Sequence, residues 1–390
     1  MPPGFGTIWM CVALDLVGFG IVLPILPLYA EEFGARALSA TGLVAAFSAA
    51  QLVFSPIWGR LSDRVGRKPI LVLSLAGTAV GSLLTGLAGS LTILFVGRVV
   101  DGISGASVSV AQASVADIAP PEQRARLLGL LGAAFGLGFV AGPAIGALAA
   151  LGDHRIPFFI AAALAAVNAV VAWRRLPETH PNRRSGGGIA RQGARFPDQN
   201  EVPRSWRRRG VAELVIGAFV SLTAFSAFEA TFSLFAERRL DLQLASIGGL
   251  FAAVGLVLAL VQWRLLGPVV DRLGEAGTLR LGLVLNGVGL AMLAAVHSWA
   301  LLVPTLLCLI VGQGFVTPTL SSILAGRVRA DRRGTALGVQ QAAGGLARVA
   351  GPILGGALFE HVGVPAPYIV GAGLMAVAVV IVAPALQKEV

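Results

Sequence analysis

Twelve apolar runs, each near 20 residues long and separated by short polar breaks, restrict this chain more than any other feature. They read at about 7–30, 41–61, 70–89, 91–115, 126–151 and 156–173, then at 211–236, 245–268, 278–297, 299–323, 335–360 and 364–386. A helix rising about 1.5 Å per residue needs about 20 apolar residues to cross about 30 Å of hydrocarbon. Charged residues make up 13% of the chain, about half of what a soluble domain carries. Alternating strands are absent, which argues against an outer-membrane barrel. The fold class is therefore an all-α membrane protein of twelve transmembrane helices. Residues 7–30 lack a basic leader and contain Asp15, so they read as an uncleaved first span rather than a signal peptide.

Basic residues set the expected orientation. Twenty-four of the 30 Lys and Arg fall in the loops after the even-numbered spans and in the tail, whereas the opposite loops hold only Arg36, Arg155, Arg238 and Arg239. By the positive-inside rule both termini and the central linker face the cytoplasm of a plasma (inner) membrane. The net charge of +10 is thus explained by lipid, and no nucleic-acid partner is expected. Cys11 and Cys308 lie inside apolar runs, so neither a disulfide framework nor a metal site is implied. The linker, 174–209, carries Arg183-Arg184-Ser185 and Arg207-Arg208-Arg209 among Gly and Pro. It reads as a tether lying on anionic lipid, with a regulatory arm as the alternative.

The two sets of six spans are repeats. Gly59-Arg-Leu-Ser-Asp63-Arg64-Val-Gly66 recurs 208 residues later as Gly267-Pro-Val-Val-Asp271-Arg272-Leu-Gly274. Val140-Ala-Gly142-Pro143-Ala-Ile-Gly146 recurs 209 residues later as Val349-Ala-Gly351-Pro352-Ile-Leu-Gly355. Parallel repeats about an axis normal to the membrane are a transporter architecture, with the substrate site at their interface. The expected division is 1–173, a six-helix bundle; 174–209, the linker; and 210–390, a second bundle in pseudo-symmetry with the first.

The same residues carry a family resemblance. Gly59 through Asp63, Arg64, Gly66, Arg67 and Lys68 resembles the loop signature of the major facilitator superfamily, and Arg98-Val-Val-Asp101-Gly102 resembles its fourth-helix signature. Gly129, Gly138, Gly142, Pro143 and Gly146 keep the spacing of the fifth-helix signature associated with antiporters. Leu14-Asp15-Leu-Val-Gly18-Phe-Gly20, leading to Pro24 and Pro27, resembles the first helix of the twelve-helix drug/proton antiporters. The first half is most similar to the tetracycline exporters. Those carry acids midway along the third helix and in the ninth, whereas 70–89 here has none and 278–297 offers Asn286. The resemblance therefore implies the exporter class without implying tetracycline. It also implies that Asp63 caps the start of the eleventh helix and, with Arg67 and Asp117, latches the outward-open state. The plain alternative is a basic loop that only fixes topology.

Ionisable residues inside spans are costly in lipid and should face a cavity or one another. The proton-coupling candidates are Asp15, Arg98, Asp101 and Glu229. Arg98 lies within reach of Asp15 if the helices tilt favourably, while Arg98 and Asp101, three apart, share a helix face and can neutralise each other. Arg348 is the remaining cation inside a span. Glu229 lies among Phe225, Phe228 and Phe232 and suits either a proton or a cationic substrate; its alternative is a pair with Arg238 or Arg239. Gln112, Gln262, Gln313 and Gln340, with Phe228 and Phe232, are further cavity candidates, and each glutamine can instead bond helix to helix. His154, His180, His297 and His361 fall in or near loops. Gly136-Leu-Gly138-Phe-Val-Ala141 matches a dinucleotide fingerprint but sits deep in an apolar run, without the preceding strand that fingerprint needs.

No Gly-x-x-x-x-Gly-Lys-Ser/Thr loop is present, so a gradient rather than ATP must drive transport. The expected function is proton-coupled antiport of small amphiphilic or lipophilic compounds such as drugs by alternating access. The partners are a small-molecule substrate, protons and the lipid bilayer; the protein acts as a monomer, without a cofactor and without enzyme activity. Two alternatives remain: a symporter importing a sugar, peptide or metabolite on the same fold, and a membrane protein that transports nothing.

Overall fold

A computed structural model describes residues 1–179, 210–329 and 332–387. The first half runs α1 (Phe5–Val22), α2 (Leu26–Glu31), α3 (Ala37–Val65), α4 (Arg67–Gly86), α5 (Leu91–Ser104), α6 (Ser107–Ile118), α7 (Pro121–Ala150) and α8 (Ile156–Arg175). The second runs α9 (Val211–Leu240), α10 (Leu244–Leu260), a single π-turn (Val261–Leu265), α11 (Leu266–Ala294), α12 (Trp299–Arg327), α13 (Arg333–His361) and α14 (Ala366–Leu386). Eleven helical stretches among the described residues are long and apolar enough to cross a membrane. One of them, Leu244–Ala294, is 51 residues long. Gly274, with φ 71° and ψ 169°, interrupts it and divides it into the eighth and ninth spans. That glycine ends the repeated Asp271–Gly274 loop, and its partner Gly66, with φ 111°, separates α3 from α4 at the equivalent point. A side chain at either position would meet the steric penalty of the left-handed region. The chain is thus a twelve-span bundle in two pseudo-symmetric halves.

Two spans expected to be continuous are broken. The first stops at Val22 and resumes at Leu26, because Pro24 and Pro27 cannot donate to the helical ladder. The fourth breaks between Ser104 and Ser107, where Gly105 adopts φ −70° and ψ 47°. Backbone freed inside a membrane must find partners. Here the Ala106 N–H donates to Ser74 Oγ at 3.2 Å, Gln51 donates to the Gly105 carbonyl at 3.0 Å, and the Trp58 indole donates to the Ile103 carbonyl at 2.6 Å.

Within each half the same pairs of spans pack, first with fifth (α1 on α7, α9 on α13) and third with sixth (α4 on α8, α11 on α14). The halves meet through α3 on α13 and α7 on α10, which exchange under the same two-fold relation. Ion pairs joining the halves among the described residues lie at one end. Arg238 meets Glu31 at 2.5 Å and Arg36 approaches Glu360 at 3.8 Å. Glu360 also accepts the Leu38 N–H at 3.0 Å, and Ser233 donates to the Pro24 carbonyl at 2.8 Å. The linker from residue 180 onward, with His180, lies outside the described residues.

Candidate functional site

The site is assembled where α1 and α7 cross. Glycine lets their backbones touch: a Cβ on Gly142 would lie 2.6 Å from Gly20 Cα, and one on Gly138 would lie 2.7 Å from Leu16. Gly146 meets Ile21 in the same way, and Pro143 sits inside α7 without ending it. In the second half Gly351 and Gly355 seat α13 on Ser226 and Ala227 of α9. Gly129 is exposed and has nothing within 4 Å of the corresponding position, so this member of the signature makes no close approach.

That crossing holds Asp15 half-buried on α1, facing the break in the fourth span. Ser107, the first residue of α6, donates its hydroxyl to the Asp15 carboxylate. Among the described residues no Arg or Lys lies in ion-pair distance of Asp15. Arg98 is instead committed to Asp101 at 2.7 Å, both nearly buried, and its guanidinium lies 4.4 Å from the centre of the Phe47 ring. The reach of Arg98 to Asp15 is therefore not used. A partner three residues away on the same helix costs no chain movement, and burial makes separating such a pair expensive. Ser107 and Phe47 carry no motif in the sequence; only the Gly102-x-x-Gly105 spacing hints at the helix break that brings Ser107 to the acid.

In the second half Phe225, Phe228 and Phe232 form a ladder with centroids 5.6 and 5.3 Å apart. Phe232 is 1% exposed and packs into the core against Phe251, whereas Phe225 and Phe228 line a small apolar pocket. Leu258, Leu309, Ile310 and Gln313 complete its wall. Gln313 also accepts from Asn286 at 3.1 Å, which assigns Asn286 to helix–helix bonding. Gln340 similarly donates to Ser321 at 2.9 Å. Gln112 and Gln262 are exposed on α6 and in the π-turn. Glu229 is half-buried beside the ladder, and the charge acting on it is Arg348 of α13. Its alternative partners are engaged elsewhere: Arg238 on Glu31, and Arg239 on the Val296 carbonyl at 3.3 Å and on His297.

At the opposite end from the Arg238–Glu31 pair, Arg67 is the centre of a cluster. It is 8% exposed and bonds Asp63 at 2.6 Å, Asp117 at 2.9 Å and Ser62 at 2.6 Å. Arg64 is exposed, Lys68 half-exposed, and Gly59 has open space beside it. Asp63 is not seen to cap α13 among the described residues. The ion pairs between the halves among the described residues are formed at the other end. Glu178 belongs to no motif, yet its carboxylate accepts the Arg67 N–H at 2.9 Å and the Lys68 N–H at 3.4 Å. It thereby caps the N-terminus of α4, where a negative charge is favoured.

The cluster makes a testable element. Asp63→Asn should leave the protein inserted, with a stability loss of no more than about 1 kcal/mol because Asp63 is half exposed, and should cut transport severely, since a neutral amide weakens its bond to Arg67. Transport rates at matched expression check this. A normal rate would remove Asp63 from any gating role.

Comparison with known proteins agrees with this architecture. The chain is 32% identical over 378 residues to the tetracycline resistance protein, class E, of Escherichia coli, spanning 95% of this chain and 92% of that protein. Multidrug resistance protein 1 of Bacillus subtilis is 29% identical over 354 residues, 89% of this chain and 87% of that protein. The crystal structure of the human organic anion transporter MFSD10 superposes with a TM-score of 0.73 at 27% identity, covering 98% of this chain and all of that one. The sequence profile of the Major Facilitator Superfamily matches residues 8–266 and 264–389, and with its paired six-span halves the chain belongs to that superfamily of membrane transporters.

Proposed function

We propose that this transporter is a proton-coupled exporter of small amphiphilic compounds, working by alternating access as a monomer. The end bearing Asp63 faces the cytoplasm of the inner membrane, together with both termini. The bundles are 1–173 and 210–390, and 174–209 is a basic tether against anionic lipid. The observation that carries the reading is the seating of Asp15. It is a carboxylate at the crossing of α1 and α7, met by a hydroxyl rather than a cation, beside the break in the fourth span. Such a group can exchange a proton as the cavity opens to either side, whereas Asp101 is held by Arg98. The relatives named for tetracycline resistance, multidrug resistance and organic anion transport support small organic cargo, and their differing cargoes leave its charge open.

Proteoliposomes loaded at one pH and diluted into another test this reading. Movement of a lipophilic dye such as N-phenyl-1-naphthylamine against its gradient should follow the imposed pH difference and stop on adding a protonophore. Transport indifferent to the protonophore would remove proton coupling. Proton flux in the same direction as the dye would indicate symport.

A further inference from the structure

An arginine inside a membrane span is retained where it meets a partner or water, and Arg348, midway along α13, closes no ion pair of 4.0 Å or less among the described residues. Its surroundings fix where it points. On α13, Gly344, Gly351 and Gly355 face α9, meeting Leu222, Ser226 and Ala227. Gly345 and Gly356 face α3, meeting Leu52 and Thr41. At 100° per residue, Arg348 falls between these two lines. Leu346 and Ile353, 52% and 46% exposed, mark the opposite side, which faces lipid. Arg348 is nevertheless exposed. Its surface therefore opens into the space between the halves, not into the bilayer.

The groups around that space are unevenly matched. The Arg348 Nε is 3.5 Å from the Gly344 carbonyl, at the limit of a hydrogen bond. Glu229 acts on Arg348 electrostatically but does not close to an ion pair of 4.0 Å or less. On α9, Glu229 lies between the face packed on α13 and the face bearing Phe225 and Phe228. The Gly351–Ser226 and Gly344–Leu222 contacts place Arg348 one to two turns below it. Arg348 thus offers a guanidinium fork whose one hydrogen bond is the long one to Gly344, with a carboxylate one to two turns away on α9 and, on the next face of that helix, a small apolar pocket lined by Phe225 and Phe228. A planar fork of this kind matches the two oxygens of a carboxylate or sulfonate.

We propose that Arg348 recognises an anionic group on the substrate, so that the cargo is an amphiphile with its apolar rings in the Phe225–Phe228 pocket and its negative group on Arg348. Glu229 is then a competitor within the protein: it occupies the field of Arg348 when the site is empty and yields it to the ligand. This displaces the expectation of a cationic substrate at Glu229, because that carboxylate already has a cation beside it. The inference rests on the exporter reading only for where the ligand goes next; recognition itself is read by binding.

Two probes separate the charge from the rings. N-phenyl-1-naphthylamine and 1-anilinonaphthalene-8-sulfonate share their aromatic skeleton and differ by one sulfonate. Their affinities should be measured by fluorescence with the purified protein in nanodiscs, after subtraction of empty nanodiscs. The ratio of the two affinities is the reading, since it cancels differences in folded fraction. The wild type should favour the sulfonate by about tenfold or more, the size of one charge-assisted bond. Arg348→Gln should erase that preference, and Arg348→Lys should keep part of it. Glu229→Gln, which removes the competitor, should raise the sulfonate affinity severalfold and provides the reading if the Arg348 variants do not fold. A preference that survives Arg348→Gln, a wild type favouring the neutral probe, or a sulfonate affinity unmoved by Glu229→Gln would each overturn the assignment. Gradient-driven movement of the neutral dye in liposomes reads the exporter proposal separately, so a failure there leaves the binding result standing.

Discussion

Asp15→Asn is expected to keep substrate binding and to abolish proton-driven efflux, bringing the rate down to the leak through lipid. Asparagine matches the shape of the aspartate and still accepts the Ser107 hydroxyl, so the crossing of α1 and α7 and the break in the fourth span should persist. What is lost is the group that can gain and release a proton. The neighbouring acids are poorer substitutes. Asp101 would have to abandon Arg98, and stripping one partner from a buried pair costs about 3–5 kcal/mol. Glu229 lies in the field of Arg348. Binding titrations and pH-jump efflux on the same liposomes separate the two effects. Full gradient-driven efflux by Asp15→Asn would pass the role to Asp101 or Glu229.

Gly142→Val should be nearly as damaging, for a purely steric reason. The first atom of any side chain at 142 would sit 2.6 Å from Gly20 Cα and 2.7 Å from the Val17 carbonyl oxygen. These are backbone atoms of a packed helix and have no rotamer to give. The helices must separate, and overpacking of this kind costs about 1–3 kcal/mol or more. The displacement would also carry Leu16 and Asp15 away from Ser107. Expected outcomes are a lower melting temperature in detergent and loss of efflux. Gly129→Ala is the control within the same signature: nothing lies near its added methyl, and alanine favours a helix over glycine by about 1 kcal/mol. Equal damage from both substitutions would refute the close-crossing account.

The spans were legible because a hydrocarbon slab imposes a length and a polarity that composition must obey. The two-fold relation was legible because the Asp63 and Gly142 segments each recur at nearly one shift. Interruptions inside spans were less visible. The fourth span reads as continuous because Gly105 is one glycine among many, and the Ser74 and Gln51 side chains that satisfy its freed backbone come from other helices. Partnerships were least visible. Arg98 had two acids within reach in the sequence, and the structure pairs it with Asp101, three residues away on the same helix. Glu178 stands beyond the sixth span with no motif, yet it caps α4 beside the Arg67 cluster. Phe232 looked equivalent to Phe228 because three-residue spacing cannot distinguish a pocket wall from the core behind it.

The ion pairs fastening the halves at the Glu31 end carry an energetic consequence. The Arg36 side chain is 81% exposed and that of Arg238 43% exposed. Pairs open to water in this way contribute about 0–1 kcal/mol each, so the two together supply no more than about 2 kcal/mol. One elementary charge crossing 100 mV of membrane potential releases about 2.3 kcal/mol. The ionic clasp is therefore of the same size as the voltage energy of a single proton. Dissolved salt loosens it further, because charges in water are screened over about 8 Å at physiological ionic strength. Salt in the medium bathing that face should therefore loosen how firmly the two halves are held together there, an effect confined to the two exposed pairs.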